Sequence, residues 1–304
     1  MVSKCFTIAL IATMLSFFGE AANALELLGD KPKSVRSVSS VPNEQAITKA
    51  IWAPGVDDGF VPQGLTVADD LVLISSYQST DPKVDRGPCK VFAVDTQTGR
   101  LAGAFNLPKD CGHAGGMVYI GKGILLASDT RRLYQIDLQQ ALKDGNADQA
   151  LKSTVRLTGD LKGSFMDFDG TNIFIGSSEK TQEKAKGFYL SLDIFEKFKG
   201  KTIKEDIALN SIPVGTEGNG AAFDAQGNLW TASSNSKYGM LEKRDPKTGA
   251  VLAQYSQVIG IEDLGFDAQG RLWSVSEAGT IRWSKWTRTF PVIFQIDIGK
   301  LQPR

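Results

Sequence analysis

Apolar residues along this chain fall in short bursts separated by turns. Each burst of apolar and β-branched residues runs into a turn rich in Gly, Asp or Asn. A second burst follows and ends in small polar residues. This element reads QGLTVADDLVLISSY from Gln63, GGMVYIGKGILLASD from Gly115 and FMDFDGTNIFIGSSE from Phe165. It returns as GNGAAFDAQGNLWTASS from Gly218 and EDLGFDAQGRLWSVSE from Glu262. A third burst then closes on Asp95, Asp137, Asp193, Asp245 or Asp297, at intervals of 42, 56, 52 and 52 residues. A fourth follows, as in RLAGAFNLP and AVLAQYSQV.

Four antiparallel strands in each of five units predict an all-β, five-bladed β-propeller around a central channel, although the chain length would also accommodate six blades. Asp-Thr-Gln-Thr-Gly at 95–99 and Asp-Pro-Lys-Thr-Gly at 245–249 read as hairpin turns, the Asp bonding its own backbone and the Gly taking positive φ. After Asp297 only seven residues remain, too few for a fourth strand. AITKAIWAP, from Ala46, is predicted to supply the outer strand of the last blade and so close the ring, removing an exposed sheet edge.

The N-terminus changes the compartment. Lys4, the apolar stretch Cys5 to Phe18, and Ala22-Asn23-Ala24 have the order of a secretory signal peptide over residues 1–24. Residues 25–304 are then expected to form a single propeller domain, periplasmic or secreted, with no later run long enough to cross a bilayer. In such a compartment Cys89 and Cys111 are expected to pair as a disulfide. Lys plus Arg and Asp plus Glu both number 34, and zero net charge argues against a dedicated nucleic-acid binder. A single histidine excludes a zinc site built on several imidazoles. The lysine-rich stretch from Lys180 to Lys204 reads as a solvated excursion of the third blade. Trp283, Trp286 and Phe290 read as packing between blades or, if exposed, as a carbohydrate or peptide platform.

In a propeller the entry to each innermost strand faces the channel mouth. The alignment of the five units puts Gln63, Ser164, Asn219 and Glu262 at one equivalent position, with Gly115 as the fifth member. His113, Glu217 and Asp263 lie within two residues of it. These polar groups converging on one mouth form the candidate ligand site. His113 has the right titration range for acid–base work, but no G-x-S-x-G elbow presents a serine for it to activate.

GNGAAFDAQGNLW and GIEDLGFDAQGRLW resemble blade openings of the NHL, gluconolactonase/regucalcin and virginiamycin-B-lyase-type propellers. The gluconolactonase resemblance implies a divalent cation, calcium by its oxygen ligands, with Asn219 and Asp129 matching the family's Asn-Gly opening and its strand ending in Asp. Glu217, Glu262 or Asp263 would stand in for a missing carboxylate. The family's first-blade Glu-Gly-Pro is here Pro62-Gln63-Gly64, and the fourth blade ends in Ser233 and Ser234 without an aspartate. Val61-Pro62-Gln63-Gly64-Leu65 is similar to the Phe-Thr-Gln-Gly-Leu opening of bacterial and plant glutaminyl cyclases. Their catalytic glutamate has no counterpart in Ala114-Gly115-Gly116. With no complete catalytic set, the expected function is non-catalytic: a monomer binding a small molecule, a peptide or an envelope protein at the channel mouth. The alternative is a metal-dependent lactonase or ester hydrolase.

Overall fold

The computed structural model describes residues 25–304, so the expected signal peptide lies outside the described residues. Five antiparallel sheets of four strands stand in a ring, one per blade, as a five-bladed β-propeller. Blade 1 runs Phe60–Ala68, Leu71–Gln78, Cys89–Asp95 and Leu101–Asn106 from channel to rim. Blades 2, 3 and 4 start at Gly116–Tyr119, Phe165–Phe168 and Gly218–Phe223. Blade 5 starts at Ile261–Phe266 and continues through Leu272–Ser276 and Val292–Ile296.

Ring closure follows the sequence pattern. Ile47–Trp52 pairs antiparallel with Val292–Ile296, Ile47 opposite Ile296 and Trp52 opposite Val292. Blade 5 therefore takes its outer strand from the opposite end of the chain, and unfolding it must break contacts between both ends. Leu27–Leu28 adds a short parallel strand outside this one. The predicted turns also form. Asp95 Oδ1 accepts from the Gln97 and Thr98 amides at 3.0 and 2.7 Å, Asp245 Oδ1 does the same with Lys247 and Thr248, and Gly99 and Gly249 sit at φ 70° and 74°.

The lysine-rich stretch differs from its expected solvated course. Its alternating charges hide an amphipathic core. Ile194, Phe195 and Ile203 are buried against the second and third blades, and Thr202–Ile203 pairs parallel with the outer strand of blade 2, Leu151–Leu157. The excursion from blade 3 thus covers a neighbouring sheet edge, while its lysines face solvent.

Cys89 and Cys111 are joined by a disulfide, with their Cα atoms 5.9 Å apart, tying the third strand of blade 1 to the connection into blade 2. The bond closes a span of 22 residues. The chain-entropy model gives such a loop about 3 kcal/mol of stabilisation. Replacing both cysteines by serine is expected to lower the melting temperature by several degrees under non-reducing conditions. Calorimetry showing the double variant melting with the parent would refute this.

Candidate functional site

Within each blade the first strand begins, and the second ends, at the same mouth of the channel. In blade 5 this hairpin puts Ile261 opposite Ser276, and the side chains of Glu262 and Glu277, just beyond that pair, are hydrogen-bonded to each other. From blade 1, Gln63 (4 % exposed) reaches across and donates from Nε2 to Glu277 Oε2 at 3.1 Å and to its own Pro62 carbonyl at 2.8 Å. Burial pushes Glu277 up to about 7, against the hydrogen bonds that favour its charged form. Burial also raises Glu262 well above the usual range, helped by the charges of Glu277 and Asp263. Two neighbouring carboxyls withdrawn from water cannot both be ionised at little cost, so the pair holds a proton near neutrality. Glu277 was not among the residues singled out from sequence. The signal was present, because it ends the second burst of the fifth unit, and antiparallel pairing brings that end back to the mouth.

The segment 277–291, between the second and third strands of blade 5, covers this cluster. It is held down by a continuous stack. His113 lies on Tyr77 at 4.7 Å and 20°, the Arg282 guanidinium lies 5.3 Å from the Tyr77 ring and 4.2 Å from the Trp283 ring, and Trp283 stacks on Trp286 at 4.8 Å. Trp283 thus packs against the core between blades 1 and 2, Trp286 lies by Gly260 of blade 5, and both stay half-buried. His113 is itself anchored, its Nδ1 donating to the Asp85 carbonyl at 2.6 Å. Tyr77 OH, Thr280 Oγ1 and Arg282 Nε, on the elements of this stack, are buried with no hydrogen-bond partner among the described residues. Buried polar atoms seldom remain unpartnered, and a group of them in one place marks a site that a small polar molecule can complete.

Asp263 sits elsewhere than its sequence neighbour. Its side chain is fully buried (0 % exposed) on the channel axis, where it accepts from the backbone N–H groups of Leu65 at 3.2 Å, Met117 at 3.1 Å and Ala221 at 3.3 Å. One carboxyl of blade 5 thereby joins the inner strands of blades 1, 2 and 4. Glycines make room for it: a Cβ on Gly220 would lie 2.7 Å from the Asp263 Cα. The channel is consequently filled at this level. Burial raises the Asp263 pKa well above the ordinary range, against its amide donors. Asp167, from blade 3, accepts from Phe223 N at 2.6 Å and is pushed up to about 7 by burial.

The other residues expected at the mouth have local partners. Asn219 Nδ2 donates to Ser234 Oγ at 2.8 Å and the Ile261 carbonyl at 3.4 Å, and its Oδ1 accepts from Ser178 Oγ at 3.5 Å. Glu217, at φ 53°, accepts from Asn235 Nδ2 at 2.7 Å and from the Tyr238 hydroxyl at 3.0 Å, bracing the blade 4 loop. Ser164 lies against Gly115 where the inner strands of blades 2 and 3 meet. Asp129 accepts from three successive backbone amides, Gly112, His113 and Ala114, at 3.3, 2.8 and 3.3 Å, which makes it the anchor of that turn. Of the three candidate metal ligands, Asp129 thus holds a loop, Asn219 bridges two blades and Glu262 faces Glu277. Among the described residues no group of three or more His, Cys, Asp or Glu side chains is placed to hold a metal ion.

A cavity of about 950 Å³ opens on the opposite face between the turns of blades 3, 4 and 5. Phe168, Phe223 and Phe266 line it from equivalent positions. Two of its carboxylates are committed to folding, since Asp224 and Asp267 accept from the turn amides and from the indoles of Trp230 and Trp273 at 3.0 and 2.9 Å. The covered mouth, by contrast, holds the shifted carboxyls, and perturbed titratable groups are the commoner mark of a functional site.

No protein-family model matches the chain, and no curated protein sequence matches it either. Among solved structures, glutaminyl cyclase from Myxococcus xanthus superposes with a TM-score of 0.58 over 85 % of this chain and 96 % of that one, at 11 % identity. The PQQ-bound aldose sugar dehydrogenase of Streptomyces coelicolor gives 0.43 over 80 % and 84 %, at 16 % identity. A luciferin-regenerating enzyme gives 0.46 over 86 % and 96 %, at 9 % identity. At these identities the likeness is one of scaffold, which hosts unrelated activities.

Proposed function

We propose that this protein is an exported propeller that binds a small polar molecule at the covered mouth between blades 1 and 5. The observation that carries this reading is the buried Gln63–Glu277–Glu262 cluster, next to the 277–291 cap in which Thr280 and Arg282 keep buried, unpartnered polar atoms. Export is supported by the Cys89–Cys111 disulfide together with the signal-like N-terminus; among the described residues no helix is long and apolar enough to cross a membrane. The test is a thermal-shift screen of small polar metabolites, repeated with Glu277→Gln, with the ligand recovered afterwards for mass spectrometry. A ligand that stabilises the parent, binds the variant roughly tenfold or more weakly and is recovered unchanged supports binding without chemistry. If no compound distinguishes parent from variant, the mouth is not the site.

A second reading, acid–base catalysis, is favoured by one observation: Glu277 is poised to exchange a proton near pH 7. The similar glutaminyl cyclase scaffold belongs to an enzyme, but the residues that would act here are this chain's own pair. Recovery of a changed ligand, with a rate whose limb near neutral pH disappears in Glu277→Gln, would establish that reading. The calcium-dependent lactonase alternative has less support, because Asp129, Asn219 and Glu262 each serve a separate local contact.

A further inference from the structure

Two arginines are buried in this protein, and they are treated differently. Arg244 is fully provided for: Nε donates to Thr231 Oγ1 at 3.0 Å, Nη1 to the Gly249 carbonyl at 2.8 Å, and Nη2 pairs with Glu242. Arg282 is as deeply buried (6 % exposed), yet no ion pair reaches it among the described residues. Its Nη2 donates to the Pro82 carbonyl at 3.3 Å and its Nε has no partner. Burial lowers its proton affinity, with no neighbouring carboxylate to offset the effect. A guanidinium nonetheless stays charged in proteins, so a largely buried cation stands without a counter-ion among the described residues.

The surroundings explain how that cation is oriented. Tyr77 and Trp283 lie against it at 5.3 and 4.2 Å. Aromatic neighbours fix the plane of a guanidinium and leave its N–H groups at the edge, the geometry that matches a carboxylate. The Tyr77 and Thr280 hydroxyls, both buried and unpartnered, are further donors on the same elements. Gln63 and the proton-holding Glu262–Glu277 pair, which Trp283 contacts through Glu277, accept from a hydroxyl or an amine and repel a second anion.

We propose that the covered mouth takes a small monocarboxylate bearing a hydroxyl or amino group, with Arg282 as the receptor for the carboxylate. This rests on the reading that the mouth is the ligand site, and it adds the class of ligand. The cap's hold on Arg282 then has a function: the ligand supplies the missing counter-ion.

The experiment is a thermal and calorimetric titration of the purified protein with lactate, glycerate and alanine. Lactamide and inorganic phosphate serve as controls at matched ionic strength. A saturable rise in melting temperature is expected with at least one carboxylate, and none with lactamide or phosphate. Arg282→Met is expected to bind that carboxylate roughly tenfold or more weakly, and Arg282→Lys to fall between, because an ammonium cannot make the forked contact. A purely structural arginine would make Arg282→Met much less stable. An unpaired receptor predicts that the ligand-free variant melts at or above the parent, since an apolar chain replaces a buried lone charge. The proposal is overturned if Arg282→Met and the parent respond alike, if phosphate substitutes for carboxylate, if no carboxylate shifts the parent, or if ligand-free Arg282→Met melts well below the parent. Should lactamide bind in a Glu277-dependent way, the carboxylate assignment falls while the mouth remains the ligand site; if nothing binds in either manner, both readings fall.

Discussion

Asp263→Ala is expected to be the most damaging single substitution in this protein. The side chain accepts from the backbone amides of three inner strands that no other contact brings together at one point. Removing it leaves the Leu65, Met117 and Ala221 N–H groups buried and unpartnered on the axis. At about 1–3 kcal/mol for each orphaned donor, the loss is on the order of 5 kcal/mol, before any cost of the cavity. That is comparable to the whole stability of many domains, so poor expression or a melting temperature lowered by roughly 10 °C or more is expected. Asp263→Asn keeps an acceptor at the axis and should recover part of the loss. A chemical-denaturation midpoint for Asp263→Ala equal to that of the parent would show that the axis is held by strand packing alone.

Stability is also expected to fall as pH rises from 5 to 8. Asp167 and Glu277 are each pushed up to about 7, and Glu262 and Asp263 are raised in the same direction, burial being the first cause in all four. A carboxyl whose folded pKa lies above its unfolded value near 4 binds more protons folded than unfolded within that window. Its contribution is therefore fully present below the unfolded value and is lost as pH rises through the folded one. For Asp167 alone, the part lost between pH 5 and 8 is on the order of 3 kcal/mol. Surface carboxylates such as Asp95 and Asp245, held below the usual range by their Thr98 and Thr248 hydrogen bonds, act oppositely. Their contribution is present above the unfolded value and disappears only in acid, so it does not cancel the trend. A melting temperature about 5–10 °C higher at pH 5 than at pH 8 is expected, with the slope reduced in Asp167→Asn. A flat or rising profile over that range would mean that the four carboxyls are better solvated than their burial implies.

Much of this architecture was legible in sequence because its signals are local. Strand alternation, Asp-x-x-Thr-Gly turns and a small-polar strand end each involve a few consecutive residues, and they located the blades, the closing strand Ile47–Trp52 and the mouth itself. The stretch from Lys180 to Lys204 was harder, since its lysines outnumber the few apolar residues that decide its course over blade 2. Within the mouth, sequence grouped Gln63 with Glu262, which both contact Glu277 in the structure. It did not separate Glu262 from Asp263, although one faces Glu277 and the other the axis.

Sequence by itself determined the five-bladed ring, its closure and the cystine, because pairing between neighbouring strands is written in alternation and turn chemistry. Only the tertiary structure decided which polar groups meet. Gln63 bonds a residue 214 positions away and Leu65 one 198 positions away. The inner strands of blades 1, 4 and 5 also shift register at their entries, between Pro62 and Leu65, Gly218 and Gly220, and Ile261 and Leu264. A one-residue shift turns every following side chain to the other face, so alternation counted along the chain loses its phase where the inner strands enter the site.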